Sequence, residues 1–225
     1  MCFSPEMSFA SAAVLVPTGL YAVWTAARKA PRLWPLAVVP ALFGIQQACE
    51  GLVWLGLRYD DAQLKTVAAR AYLFFALAFW PFWFSLSAVL IEPERARRRA
   101  LTVAAALSTG WFWFMYLPVL GDPAAASSCV CGHSVRYAHS DDGLLGTSGV
   151  RLAYLLSAAV PVVISSFRGV LILPLVLGVV SAGATVTLYD HAFTSVWCLF
   201  AAVLSAALIY TISTAVRREK VAVAR

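Results

Sequence analysis

Apolar residues run along this chain in long blocks, not at alternate positions. Seven blocks approach the length of about 20 residues that a helix needs to cross a hydrocarbon layer. They cover 8–27, 36–57, 68–91, 101–120, 150–167, 170–188 and 193–216. Barrel strands would instead alternate over about ten residues each. Helices are therefore the expected spanning elements, with all their backbone hydrogen bonds made internally. Prolines 17, 40, 81, 118, 161 and 174 fall within or near the blocks and mark candidate kinks.

Composition makes the membrane reading firm. Of 225 residues, 61% are hydrophobic and 12% charged. A soluble domain sits nearer half apolar and a quarter charged. Disorder, collagen and small disulfide scaffolds are excluded on the same ground. The first block lacks a basic n-region, and Glu6 is the only charge before it, so it is expected to be a retained helix and not a cleaved signal.

Charge supplies an orientation. Twelve of the seventeen Lys and Arg fall on the odd-numbered connections and the C-terminal tail. Arg28, Lys29 and Arg32 form one cluster, and Arg95, Arg97, Arg98 and Arg99 another. Basic residues stay cytoplasmic. The expectation is an all-α polytopic cell-membrane protein of one domain, 1–225. It has seven transmembrane helices, its N-terminus outside and its C-terminus cytoplasmic. The net charge of +6 then reflects topology and contact with anionic lipid, and no nucleic acid is expected as partner. The connection 121–149 is expected to be a long extracytoplasmic loop.

Candidate chemistry begins with Glu50. It lies inside the second block, with Gln46 or Gln47 and Trp54 on the same helical face. An ionisable group there is costly and should face the bundle interior or a water cavity. It reads as a ligand-binding or catalytic group. The alternative is a glutamate that glues helices together. On the seventh block, His191, Thr194 or Ser195, and Cys198 make a polar stripe, with Trp197 beside it. Cys198 falls at about the depth of Glu50, about 10 Å below the outer end. The two stripes predict a shared outward-opening cavity. Small-residue packing is the alternative for Thr194, Ser195 and Cys198, and an N-cap for Asp190.

The 121–149 loop carries Cys129, Cys131, His133 and His139. With Cys2 and His191 they gather soft donors on one side, so a transition metal is a candidate cofactor. The spacing of one residue between Cys129 and Cys131 is not that of a structural zinc site. A disulfide from Cys2 to one of them, on an oxidising side, is the reading ranked ahead of the metal, and plain loop cysteines are the third.

Three segments carry a resemblance: Met1-Cys2-Phe3-Ser4, Gln46-Gln47-x-x-Glu50-Gly51-Leu52-Val53-Trp54, and Ser195-Val196-Trp197-Cys198. In these the chain resembles a family of uncharacterised bacterial integral membrane proteins. The resemblance implies a membrane location and no activity. Its residues Cys2, Glu50, Trp54, Trp197 and Cys198 are among those singled out above.

Three functions follow as expectations. The first is binding of a metal or small molecule in an outward-facing cavity around Glu50 and His191. The second is a membrane-embedded metal-dependent hydrolase or oxidoreductase, with Glu50 as candidate catalytic residue. The third is a transporter with Glu50 as coupling site. Few polar residues continue inward from Glu50, chiefly Ser85, Ser87, Ser108 and Thr109, which ranks the transporter last.

Overall fold

The structure, a computed structural model, describes residues 4–132, 134–138, 147–188, 205 and 208–210. Helix α1 (Pro5–Lys29) starts where Ser4 Oγ accepts from the Met7 N–H at 3.3 Å. Pro5 and Glu6 in its first turn, and Arg28 and Lys29 in its last, suit the two ends of the helix dipole. A 3-10 turn (Pro31–Leu33) and the single-turn α2 (Trp34–Ala37) lead into α3 (Val39–Arg58). Asp60 turns the chain at φ 53°, and Asp61 caps α4 (Ala62–Leu73) by accepting from the Leu64 N–H at 2.9 Å. A π-helical stretch (Phe74–Phe79) joins α4 to α5 (Trp80–Ile91), and α6 (Arg95–Gly121) follows. The last described helices are α7 (Ser148–Ile164) and α8 (Arg168–Leu188).

Four of these segments are long and apolar enough to cross a membrane: Pro5–Lys29, Pro31–Arg58, Ala62–Ile91 and Arg95–Gly121. They match the first four expected spans, although the third begins earlier and the fourth includes the arginine cluster. Helix α7 is apolar and shorter. The seventh expected span lies largely outside the described residues.

The connection between α6 and α7 carries local structure of its own. A 3-10 turn (Pro123–Ala126) precedes a hairpin of β1 (Ser128–Cys131) and β2 (Ser134–Tyr137). Gly132, at φ 61°, supplies the left-handed turn between the strands. The hairpin forms because alternate side chains have somewhere to go. Val135 and Tyr137 are fully buried against the helix ends, and Tyr137 stacks on Tyr72 of α4 at 4.8 Å.

The bundle is built by close approach. Helices α1 and α3 run antiparallel, with Phe9 against Gly51, Val16 against Gly44 and Ala41 against Gly19. A Cβ at any of the three glycines would collide with its neighbour, so glycine is what lets the two backbones meet. Gly56 does the same for the start of α4, where a Cβ would sit 2.7 Å from the Lys65 nitrogen. Outward faces stay apolar, as at Val14, Leu107 and Val180, which suits a lipid surround.

The helix ends are tied at both levels. At one end, Arg70 donates to the carbonyls of Val119 and Leu120, at 3.1 and 3.3 Å. It thereby closes the C-terminus of α6 with a cation. At the other, Glu92 lies in the turn after α5. It accepts from the Glu94 N–H at 3.2 Å, the Ser166 N–H at 2.8 Å and the Ser166 hydroxyl at 2.6 Å. This joins the α5–α6 turn to the α7–α8 turn. Burial alone would raise the Glu92 carboxyl pKa. The Ser166 and Glu94 hydrogen bonds outweigh it and hold the pKa below the ordinary carboxylate value.

Candidate functional site

Helix α3 presents one polar face to the interior. Gln46, Gln47, Glu50 and Val53 are buried there, while Ile45 and Leu52 are exposed on other faces. This is the helical periodicity of an interior-facing stripe. Glu50 itself is 0% exposed. Gln47 Nε2 reaches its Oε2 at 3.5 Å, and Trp80 Nε1 donates to Gln46 Oε1 at 2.7 Å. The indole of Trp80 also stacks on Phe43, ring centres 3.7 Å apart and planes 21° from parallel. So three sequence-predicted residues, Gln46, Gln47 and Glu50, share one buried hydrogen-bonding region. Trp80 is the fourth member.

By sequence, a tryptophan in an apolar span, as Trp80 is, reads as an interfacial belt or packing residue. The signal for its role is the neighbouring Pro81. Proline has no N–H, so in an α-helix it would leave the Leu77 carbonyl without its usual donor. The chain answers with the π stretch, and side chains from other helices take up its carbonyls. Trp111 Nε1 donates to the Leu77 carbonyl at 3.1 Å, and the Tyr154 hydroxyl to the Ala76 carbonyl at 2.8 Å. π-Helical turns recur at functional sites, and Trp80 is the first residue after this one.

One turn beyond Glu50, Trp54 lines a small cleft of about 190 Å³ with Ser4, Pro5, Leu57, Arg58 and Val130. Arg58 pairs with Glu6 at 3.0 Å across its rim. Trp54 Nε1 is buried and has no hydrogen-bond partner among the described residues. Ser8 Oγ is in the same condition, one residue from the Phe9 that packs on Gly51. Buried polar atoms normally find partners, and of these two only Trp54 belongs to a residue that lines the cleft. The cleft is not lined by Glu50 itself. Glu50 sits one helical turn away, in the buried cluster with Gln46 and Gln47.

The hairpin accounts for two of the cysteines. Cys129 stands opposite Arg136 and Cys131 opposite Ser134. Strand alternation puts both thiols on the face away from Val130. Among the described residues both are free of a disulfide, Cys129 exposed and Cys131 half-buried. Val130 and Ser4 line the same cleft, so the hairpin and the start of α1 are neighbours.

Cys2, His133, His139, His191, Trp197 and Cys198 lie outside the described residues. Among the described residues, no group of three or more His, Cys, Asp and Glu side chains is placed to hold a metal ion.

Neither the curated proteins nor the solved structures contain a match to this chain. A family of unknown function, DUF6629, matches residues 1–224. The expected resemblance to an uncharacterised family is met over essentially the whole length, and the chain belongs to the DUF6629 family.

Proposed function

We propose that this is a multi-pass cell-membrane protein that binds a small ligand at the Glu50 pocket, reached through the Trp54 cleft. The single observation that carries the reading is a fully buried carboxylate within a candidate span, one helical turn from a cleft lined by Trp54, whose buried indole N–H has no partner among the described residues. An ionisable residue within a membrane span faces the bundle interior or a water-filled cavity and marks substrate or ion sites. Gln46 and Gln47 supply neutral donors and acceptors beside the acid, and Trp80 fixes the Gln46 amide. An amine or a polar neutral molecule suits such a lining. A metal ion is the other candidate occupant, and it requires donors from His191 and Cys198.

The same proposal places the N-terminus and the hairpin outside. The basic clusters at 28–32 and 95–99 support this, because they share the opposite end of the bundle from the hairpin. Helices α1 and α3 are antiparallel, and Glu92 and Arg97 both reach Ser166 at that basic end.

The test is an inventory of detergent-purified protein by native mass spectrometry and metal analysis, with Glu50→Gln beside it. The expected result is a bound small molecule or about one metal per chain, lost in Glu50→Gln while the fold is kept. Identical contents in both proteins would remove Glu50 from any site.

A further inference from the structure

We infer that the outward face of α1 is a binding site for one anionic phospholipid. Its headgroup is held by Arg28, Lys29 and Arg32, and one acyl chain lies along Val14, Tyr21 and Trp24.

The face is laid out in the order of a lipid molecule. Val14, Tyr21, Trp24 and Arg28 follow one another at steps of seven, three and four residues, so they form one helical stripe. Val14 and Tyr21 are about two-thirds exposed and Trp24 about half. The first part of the stripe is apolar and the second aromatic. Tyr21 and Trp24 stack at 5.9 Å. The last part is cationic, with the Arg28 guanidinium 4.2 Å over the Trp24 ring. From Val14 to Arg28 the helix rises about 21 Å. Half a hydrocarbon core is about 15 Å, and an interfacial layer lies above it. The stripe therefore spans one leaflet from mid-chain to phosphate, with the aromatic pair at interface level.

Among the described residues the charge is not used elsewhere. No Asp or Glu occurs between Glu6 and Glu50. Arg58 pairs with Glu6 and Arg97 with Glu94. Arg28 rests on an aromatic ring instead, and Lys29 and Arg32 form no ion pair among the described residues. Stacking fixes the Arg28 plane and leaves its edge N–H groups to meet phosphate oxygens. Lys29 and Arg32 are exposed around the turn into α2. Helix-dipole compensation explains a basic residue in a last turn. It does not explain the stacked aromatic pair beneath it or the third cation beyond the helix end. The inference needs the membrane but not the Glu50 pocket, so the two stand or fall separately.

The test is native mass spectrometry of the full-length protein in detergent, titrated with dioleoylphosphatidylglycerol or dioleoylphosphatidylcholine. A basic residue near an anionic lipid surface is worth about fivefold in affinity. Arg28→Gln/Lys29→Gln/Arg32→Gln together should therefore lower phosphatidylglycerol binding at least tenfold and leave phosphatidylcholine unchanged. Arg98→Gln/Arg99→Gln, on the other basic cluster, should bind like wild type. Trp24→Leu should weaken phosphatidylglycerol binding with all three cations kept, which a charge-only contact would not do. Equal binding of the two lipids, or a triple variant that binds like wild type, would overturn the site. Displacement of phosphatidylglycerol by millimolar inorganic phosphate would also overturn it, since an anion alone would then suffice.

Discussion

Glu50 and Glu92 are both buried glutamates, at 0% and 1% exposure, yet their surroundings differ. Glu92 sits in a turn between helices, where two backbone N–H groups and a hydroxyl point at its oxygens. Those donors belong to two separate turns, so the carboxylate works as a clamp. Glu50 sits inside a candidate span, among the amide side chains of its own helix, one turn from a cleft. Side-chain amides can re-form their bonds around a guest, whereas backbone donors in a closed turn cannot. Burial alone thus does not nominate a functional acid. The kind of donor around it and the access to it do.

The contrast makes predictions of falling size. Glu92→Ala should be the most damaging single change, at about 3 kcal/mol, because three charge-assisted hydrogen bonds go at once and the two turns lose their tie. A thermal melt in detergent measures it, and an unchanged midpoint would break the clamp half of the comparison. Acid should mimic the change. The Glu92 carboxyl pKa is held below its ordinary value of about 4.3, so its stabilisation is complete above that value. It fades as pH falls through the lowered native value. Wild type and Glu92→Gln should therefore melt furthest apart near neutral pH and converge in acid.

Trp80→Phe comes next, at about 1 kcal/mol. It removes the 2.7 Å bond to Gln46 while keeping a ring on Phe43. Its larger effect should be on ligand occupancy at the Glu50 pocket, read by the same mass measurement as Glu50→Gln. The smallest stability change belongs to Glu50→Gln itself, at less than about 1 kcal/mol, because the amide keeps the shape and can still pair with Gln47. A loss as large as that of Glu92→Ala would turn Glu50 into a second clamp.

Much of this was legible from the order of residues. The apolar blocks located the first four membrane-length helices, and Glu50 with its two glutamines stood out by charge in an apolar run. The hairpin was missed because its anchor is tertiary. Ser128 to Tyr137 shows only a short alternation, and it becomes a sheet by burying Val135 and Tyr137 against helices distant in sequence. Trp80 was missed because a tryptophan in an apolar span has many ordinary uses. Pro81 beside it hinted at an irregular turn but not at its direction. Glu92 sits among charges at a span end, where sequence alone reads it as solvated. Only the approach of Ser166 makes it a clamp.

The most direct test of the difference between the two glutamates is chemical access. Dicyclohexylcarbodiimide, an apolar reagent that modifies carboxylic acids in apolar surroundings, can be applied to membranes holding the full-length protein. Peptide mass analysis then reads the adducts. The account predicts an adduct on Glu50, suppressed by whatever occupies the Trp54 cleft, and none on Glu92. Labelling of Glu92 as fast as Glu50, or an inert Glu50, would contradict it.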